Sequence, residues 1–255
     1  MFIFLFFILF LLELDRYRYD VELFEFYTNN LNDMAKSLIN SWLLIINYNN
    51  YRFSLNLCPI HNKLIENHDK LQDELEDALN NYYIINPGIF DEELYQENEN
   101  YGYYCLKYYG NIKTTILPTL NKIVKDNDKI HTCFLSIMDG PIDIPLHKGP
   151  YSGLLRYHYT LVSCDSNNDY LSVKNSKFFW KEKEGFLFDD TYLHYVKKNS
   201  NGLRISIICD IERELNFPFN LLNNYILNKQ KTYDITEYLQ NECIPEKKSK
   251  VKFLS

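Results

Sequence analysis

Leu154-Leu-Arg-Tyr-His-Tyr-Thr-Leu-Val162 alternates with a period of two. Leu155, Tyr157, Tyr159 and Leu161 fall on one face of the strand that this pattern predicts, and Arg156, His158 and Thr160 fall on the other. A second run, Leu203-Arg-Ile-Ser-Ile-Ile-Cys-Asp-Ile211, sets Arg204 and Ser206 opposite Leu203, Ile205 and Ile207. Phe134–Met138, Tyr170–Val173, Phe178–Trp180 and Phe186–Phe188 read as further short strands. Asp139-Gly140, Asn167-Asn168 and Asn201-Gly202 supply turns between them. Short strands at regular spacing predict a β sandwich or barrel from about Lys129 onward.

Upstream the period changes to that of helices. Leu64, Leu71, Leu75 and Leu79 recur at helical spacing, predicting a helix over 64–80, and 114–125 reads as a second. Residues 81–110 read as loop-rich, and Trp42–Ile46 as a buried strand or short helix. The chain is thus helical first and β second, an α+β order. Residues 215–255 read as helical and then basic, through Lys247, Lys248, Lys250 and Lys252. Residues 1–12 are wholly apolar but shorter than the ~20 needed for a span. An anchor, a signal sequence and an apolar segment packed on the domain all stand as readings. Membrane association is favoured because such a terminus needs a cover; without it a cytoplasmic location is expected.

Composition excludes several functions. The chain has 255 residues and a net charge of -7, so it carries no electrostatic footprint for nucleic acid. Only 8 Gly are present, and neither phosphate-binding glycine signature occurs. The 6 Cys contain no C-x-x-C pair, which argues against a zinc knuckle or a disulfide framework. The 22 Tyr stand beside 2 Trp, an excess that AT-rich codons explain as well as function does.

If the polar strand faces look into a barrel, Arg156, His158 and Arg204 are buried. Unpaired buried charge is very costly, so internal carboxylates or a small anionic ligand must answer them. The alternative is that these faces point to solvent. The histidines weigh against it: His147 precedes the strand bearing Arg156, and His194 precedes the strand bearing Arg204. Two such histidines suit a metal held beside an anion pocket, and nitrogen ligands without Cys suit Fe(II) or another first-row metal. His61 and His68 read as surface residues, His131 as a strand residue without a partner, and Phe178–Trp180 as core or barrel edge.

These motifs resemble the aspartyl/asparaginyl β-hydroxylase family of 2-oxoglutarate- and Fe(II)-dependent dioxygenases. The residues that carry the resemblance are His147-Lys-Gly149-Pro150, Leu155-Arg-Tyr-His158, Gly185-Phe-Leu-Phe-Asp-Asp-Thr-Tyr-Leu-His194 and Leu203-Arg204. They cover about residues 105–212. The resemblance implies a double-stranded β-helix, the cupin-like jelly roll, with flanking helices. It divides the chain into an apolar segment 1–14, a helical flank 15–104, a catalytic barrel 105–214 and a C-terminal extension 215–255. It implies His147 and His194 as the iron ligands, with Gly149 where related oxygenases place a carboxylate. Arg204 and Ser136 would hold the distal carboxylate of 2-oxoglutarate, and Arg156 and His158 would contact cosubstrate or substrate carboxylates. Asp189 and Asp190 are candidates to orient the histidines, at least one of them as a turn residue. The family's upstream tryptophan has no counterpart, and Leu106–Gly110 holds its place. The implied reaction uses O2 to hydroxylate a peptide or lipid substrate and releases succinate and CO2. A non-catalytic metal- or ligand-binding cupin-like module is the alternative.

Overall fold

The computed structural model describes residues 2–19, 31–46, 50–85, 100–164, 167–230 and 245–248. Eight strands form the barrel: β4 (Ile130–Asp139), β5 (Ile142–His147), β6 (Leu154–Val162), β7 (Tyr170–Val173), β8 (Ser176–Phe179), β9 (Gly185–Phe188), β10 (His194–Lys198) and β11 (Leu203–Glu212). Three more, β1 (Arg52–Phe53), β2 (Tyr101–Tyr108) and β3 (Asn111–Ile112), extend one sheet. The sheet orders are β1-β9-β6-β11-β4-β2-β3 and β5-β10-β7-β8. Strands β4 to β11 thus alternate between two antiparallel sheets, apart from the β7–β8 hairpin that stays within the smaller one, which is the double-stranded β-helix. The chain has the cupin-like jelly-roll fold.

The outer face of the larger sheet presents Tyr157, Tyr159, Ile207 and Leu135, all fully buried. Helices α3 (His61–Glu66), α4 (His68–Asn81) and α5 (Pro118–Lys125) cover it. A second apolar cluster fills the barrel with Phe178, Trp180, Phe186, Phe188, Val173 and Val196. A third joins α2 (Leu31–Ile46) to α6 (Phe219–Gln230) through Ile39, Leu43, Ile226 and Leu227.

Several local expectations change. Trp42–Ile46 is the last turn of α2. The helix expected over 64–80 is broken at Asn67, whose side chain donates to the Lys63 carbonyl at 2.8 Å in competition with the backbone. The helix expected from 114 begins at Pro118, since the residue before proline disfavours helical geometry. Glu74 caps it, accepting from Thr119 N at 2.9 Å and Thr119 Oγ1 at 2.6 Å. β2 lies where a loop was expected. Both its faces are buried, so it shows no polar alternation to read.

Residues 2–19 form helix α1 (Phe2–Tyr19), which packs Leu11 and Leu12 inward while Leu5, Phe6 and Phe10 stay exposed. Ser41 Oγ of α2 donates to its Leu11 carbonyl. Among the described residues no helix is long and apolar enough to cross a membrane. The basic run from Lys250 onward, like most of the C-terminal extension past 230, lies outside the described residues.

Candidate active site

The metal-ligand candidates sit on neighbouring strands of the smaller sheet. His194 is the register partner of His147, and their ring centroids are 4.0 Å apart. Each Nδ1 lies 2.8 Å from a carbonyl two residues upstream, Pro145 O for His147 and Tyr192 O for His194. A carbonyl can only accept, so each Nδ1 carries a proton and Nε2 is the ring nitrogen left for a metal. Burial and the neighbouring His147 push His194 down to about 3, so its ring is neutral near pH 7.

Gly149 donates its N–H to the Asp190 carbonyl at 2.7 Å. A Cβ at position 149 would fall on the Asp190 carboxylate. Glycine here is a packing requirement, and Asp190 occupies the space a third carboxylate ligand would need. Among the described residues no group of three His, Cys, Asp or Glu could hold a metal.

Strands β4, β6 and β11 supply the anion side. Register pairs Arg204 with Met138, Ser206 with Ser136 and Thr160, Ile208 with His158, and Asp210 with Arg156. The inner wall is therefore a ladder of these side chains. Arg204 is fully buried, with Nη1 donating to Ser206 Oγ at 2.9 Å and its guanidinium 4.5 Å from the Trp180 ring. Ser136 Oγ is 3.4 Å from Arg204 Nη2. Among the described residues no carboxylate pairs with Arg204, and its Nε has no hydrogen-bond partner. Burial pulls its pKa down to about 10.

Arg156 behaves differently. Its Nε and Nη2 reach Asp210 at 2.9 and 3.3 Å, and its Nη1 reaches Asp190 at 3.0 Å. Of the two answers expected for buried arginines, internal carboxylates serve Arg156 but not Arg204. Burial pushes Asp190 up to about 7, against the pull of Arg156. Asp189 pairs instead with Arg213 at 2.8 Å and accepts from Thr191 N and Oγ1, a turn role. His158 stacks on Phe186 at 4.9 Å, and its Nδ1 is buried without a hydrogen-bond partner. Burial, then Arg204 and Arg156, holds it well below the usual histidine range.

A cavity of about 60 Å3 brings together all six predicted site residues: His147, His194, Arg204, Ser136, Arg156 and His158. The donor set fits a first-row metal bound by two neutral imidazoles. The unanswered guanidinium fits a carboxylate.

Phe178 and Trp180 are core, as their sequence reading expects, and the Trp180 indole also lies against Arg204. Three sequence readings need correction. His68 is buried, with Nδ1 2.8 Å from Tyr159 OH. His61 Nδ1 lies 2.7 Å from Tyr157 OH. His131 has a partner, Glu212 at 3.1 Å. Asp210 was missed, although its even spacing from Arg204 puts it on the same strand face.

A family model for aspartyl/asparaginyl β-hydroxylases matches residues 65–214, more than half of the sequence. The chain belongs to the aspartyl/asparaginyl β-hydroxylase family. The match takes in helix α4 and every strand of the barrel. A curated relative, the ornithine lipid ester-linked acyl 2-hydroxylase of Rhizobium tropici, is 31% identical over 98 residues. That match covers 38% of this chain, and the chain spans only 35% of the relative. Among solved structures, the Schizosaccharomyces pombe Cnp3 cupin domain is similar at a TM-score of 0.33 and 8% identity, covering 50% of this chain and 72% of that one. A 2OG-Fe(II) oxygenase-family protein from Burkholderia pseudomallei gives a TM-score of 0.33 at 12% identity, covering 45% and 68%.

Proposed function

We propose that this family member is a 2-oxoglutarate- and Fe(II)-dependent dioxygenase that hydroxylates a peptidyl Asp/Asn-type or lipid acyl substrate. The observation that carries the reading is one cavity lined by both a preset pair of imidazoles and a buried guanidinium that no carboxylate among the described residues answers. Bound Fe(II), 2-oxoglutarate and O2 supply the oxidising power for C–H hydroxylation, with succinate and CO2 as co-products.

The chain's own contribution is positioning. His147 and His194 would hold the metal through Nε2, their tautomers fixed by Pro145 and Tyr192 carbonyls. Arg204 would grip the distal carboxylate of 2-oxoglutarate through its planar fork, supported by Ser136. Trp180 packs its ring against that guanidinium, and Phe186 and Phe188 exclude water beside His158. The acyl 2-hydroxylase relative supports the lipid arm of the substrate reading. The exposed Leu5, Phe6 and Phe10 of α1 support contact of residues 1–12 with a membrane surface.

The test is succinate release by the iron-loaded chain. The expected result is Fe(II)-dependent succinate that is abolished in His147→Ala while the fold is retained. Metal binding without any succinate, across peptide and lipid pools, would favour the non-catalytic cupin-like module.

A further inference from the structure

Strand β2 lies outside the eight-strand barrel but pairs with β4, so its inner face prolongs the catalytic wall. Register sets Tyr101 beside Met138 and Tyr103 beside Ser136. An irregularity between Cys105 and Lys107 then shifts the register so that Tyr108 pairs with Thr132. Tyr109 follows with a positive φ of 40°, in the left-handed region. A pocket of about 350 Å3 results, walled by Tyr101, Tyr103, Tyr108, Tyr109 and Phe134. It shares Tyr101, Ser136, Arg156 and Ile208 with the catalytic cavity. A substrate in this pocket would abut the proposed metal site.

Among the described residues Arg156 is the pocket's one cationic lining residue, and it is engaged by Asp210 and Asp190. Thr132 Oγ1 also donates to Asp210 at 2.8 Å, fixing that carboxylate in place. An incoming aspartyl carboxylate would compete with Asp210 and Asp190 for one guanidinium that both already engage. The aromatic walls offer a ligand mainly apolar ring surface, edged by neutral hydroxyls and no free cation.

We infer that the tyrosine-walled pocket is the substrate subsite and takes an uncharged acyl chain, with the Asp210–Arg156–Asp190 cluster rejecting carboxylate side chains. This rests on the hydroxylase reading for its place beside the chemistry, and it selects the lipid arm of that reading.

The experiment pairs binding with turnover on the full, iron-loaded chain. A neutral dodecanoyl amide and a short aspartyl peptide serve as probes. Calorimetry measures binding in the presence of 2-oxoglutarate without O2, and succinate release measures turnover with O2. The acyl amide is expected to bind and to raise succinate release at least 10-fold, with a hydroxylated acyl product. The peptide is expected to do neither. Tyr108→Ala should weaken acyl binding at least 10-fold. Asp210→Asn should improve peptide binding at least 10-fold, a gain that a misfolded variant cannot produce. Peptide binding in preference to acyl amide by the wild type overturns the inference, as does acyl binding indifferent to Tyr108→Ala. Acyl binding that is Tyr108-dependent but yields no succinate, with or without probe, keeps the subsite and overturns the enzyme reading instead.

Discussion

Arg204→Met separates a structural arginine from one that waits for a ligand. Burial lowers the Arg204 pKa from 12.5 to about 10. At about 1.4 kcal/mol per pH unit, holding it charged in the fold costs roughly 3 kcal/mol. The sign follows from a base whose folded pKa is depressed: the cost is in full force below about pH 10 and fades as pH rises toward 12.5. Against this stand the Ser206 hydrogen bond at 2.9 Å and the Trp180 contact at 4.5 Å. Together they return about 2–4 kcal/mol. The terms nearly cancel, so methionine, similar in length and apolar, should leave the ligand-free stability within about 1 kcal/mol of wild type.

The liganded protein should differ sharply. Two charge-assisted hydrogen bonds to a carboxylate are together worth about 3–6 kcal/mol, so the variant should bind 2-oxoglutarate about 10^2- to 10^4-fold more weakly. At a ligand concentration of 100 times Kd, the wild type gains about 2.7 kcal/mol of stability. That corresponds to roughly 5–10 °C in Tm for a chain of this size. The assay is thermal unfolding with Mn(II) in place of iron, with and without 2-oxoglutarate, for both proteins. The ligand-dependent shift should vanish in Arg204→Met. A retained shift, or a ligand-free loss above about 3 kcal/mol, refutes the reasoning.

Three other outcomes follow from the geometry. Gly149→Asp, which would write a third metal ligand into the sequence, should lose about 1–3 kcal/mol of stability in urea unfolding and should lower activity, because its Cβ meets the Asp190 carboxylate. Tyr159→Phe should cost about 1–3 kcal/mol by stranding His68 Nδ1, while KM for substrate stays unchanged because Tyr159 lies on the outer sheet face. His194→Ala should remove the Mn(II)-dependent rise in Tm, whereas His131→Ala, whose partner is Glu212 outside the cavity, should retain it.

The barrel was readable because its strands carry one polar and one apolar face, and the inward set Arg156, His158, Arg204 and Ser206 obeys strict alternation. β2 was not readable for the opposite reason: both its faces are covered, and Tyr101–Tyr108, aromatic or apolar but for Gly102 and the buried Lys107, shows no polar alternation. His61 and His68 failed as surface residues because their partners, Tyr157 and Tyr159, lie far away in sequence on the other side of a helix–sheet interface. Local periodicity says nothing about such pairs. The tyrosine excess divides in the same way. Tyr157 and Tyr159 are packing residues with hydrogen-bonded hydroxyls, while Tyr101, Tyr103, Tyr108 and Tyr109 gather around one pocket beside the candidate site. Composition alone could not separate the two groups.

The way this fold treats buried cations makes Arg204 informative. Arg213 is answered by Asp189, and Arg156 by Asp190 and Asp210. Lys198, fully buried, donates from Nζ to the carbonyls of Gly140, Ser200 and Gly202. Lys107 does the same with Val124 and Asn127. Each of these removes a desolvation penalty that would otherwise be several kcal/mol. A domain with a net stability of about 5–15 kcal/mol has little room for one left standing. Arg204 differs from Arg156 and Arg213 in that no carboxylate among the described residues answers it: its company is hydroxyls, a thioether and an indole. Neutral donors and acceptors orient a guanidinium without quenching its charge. A carboxylate opposite Arg204 in the ladder, in the place of Met138 and like Asp210 opposite Arg156, would have cancelled the charge internally and closed the cavity to anions. The same wall thus carries one arginine cancelled and one kept, an asymmetry that supports the proposed placing of the cosubstrate at Arg204 and of an uncharged chain at the Arg156 end.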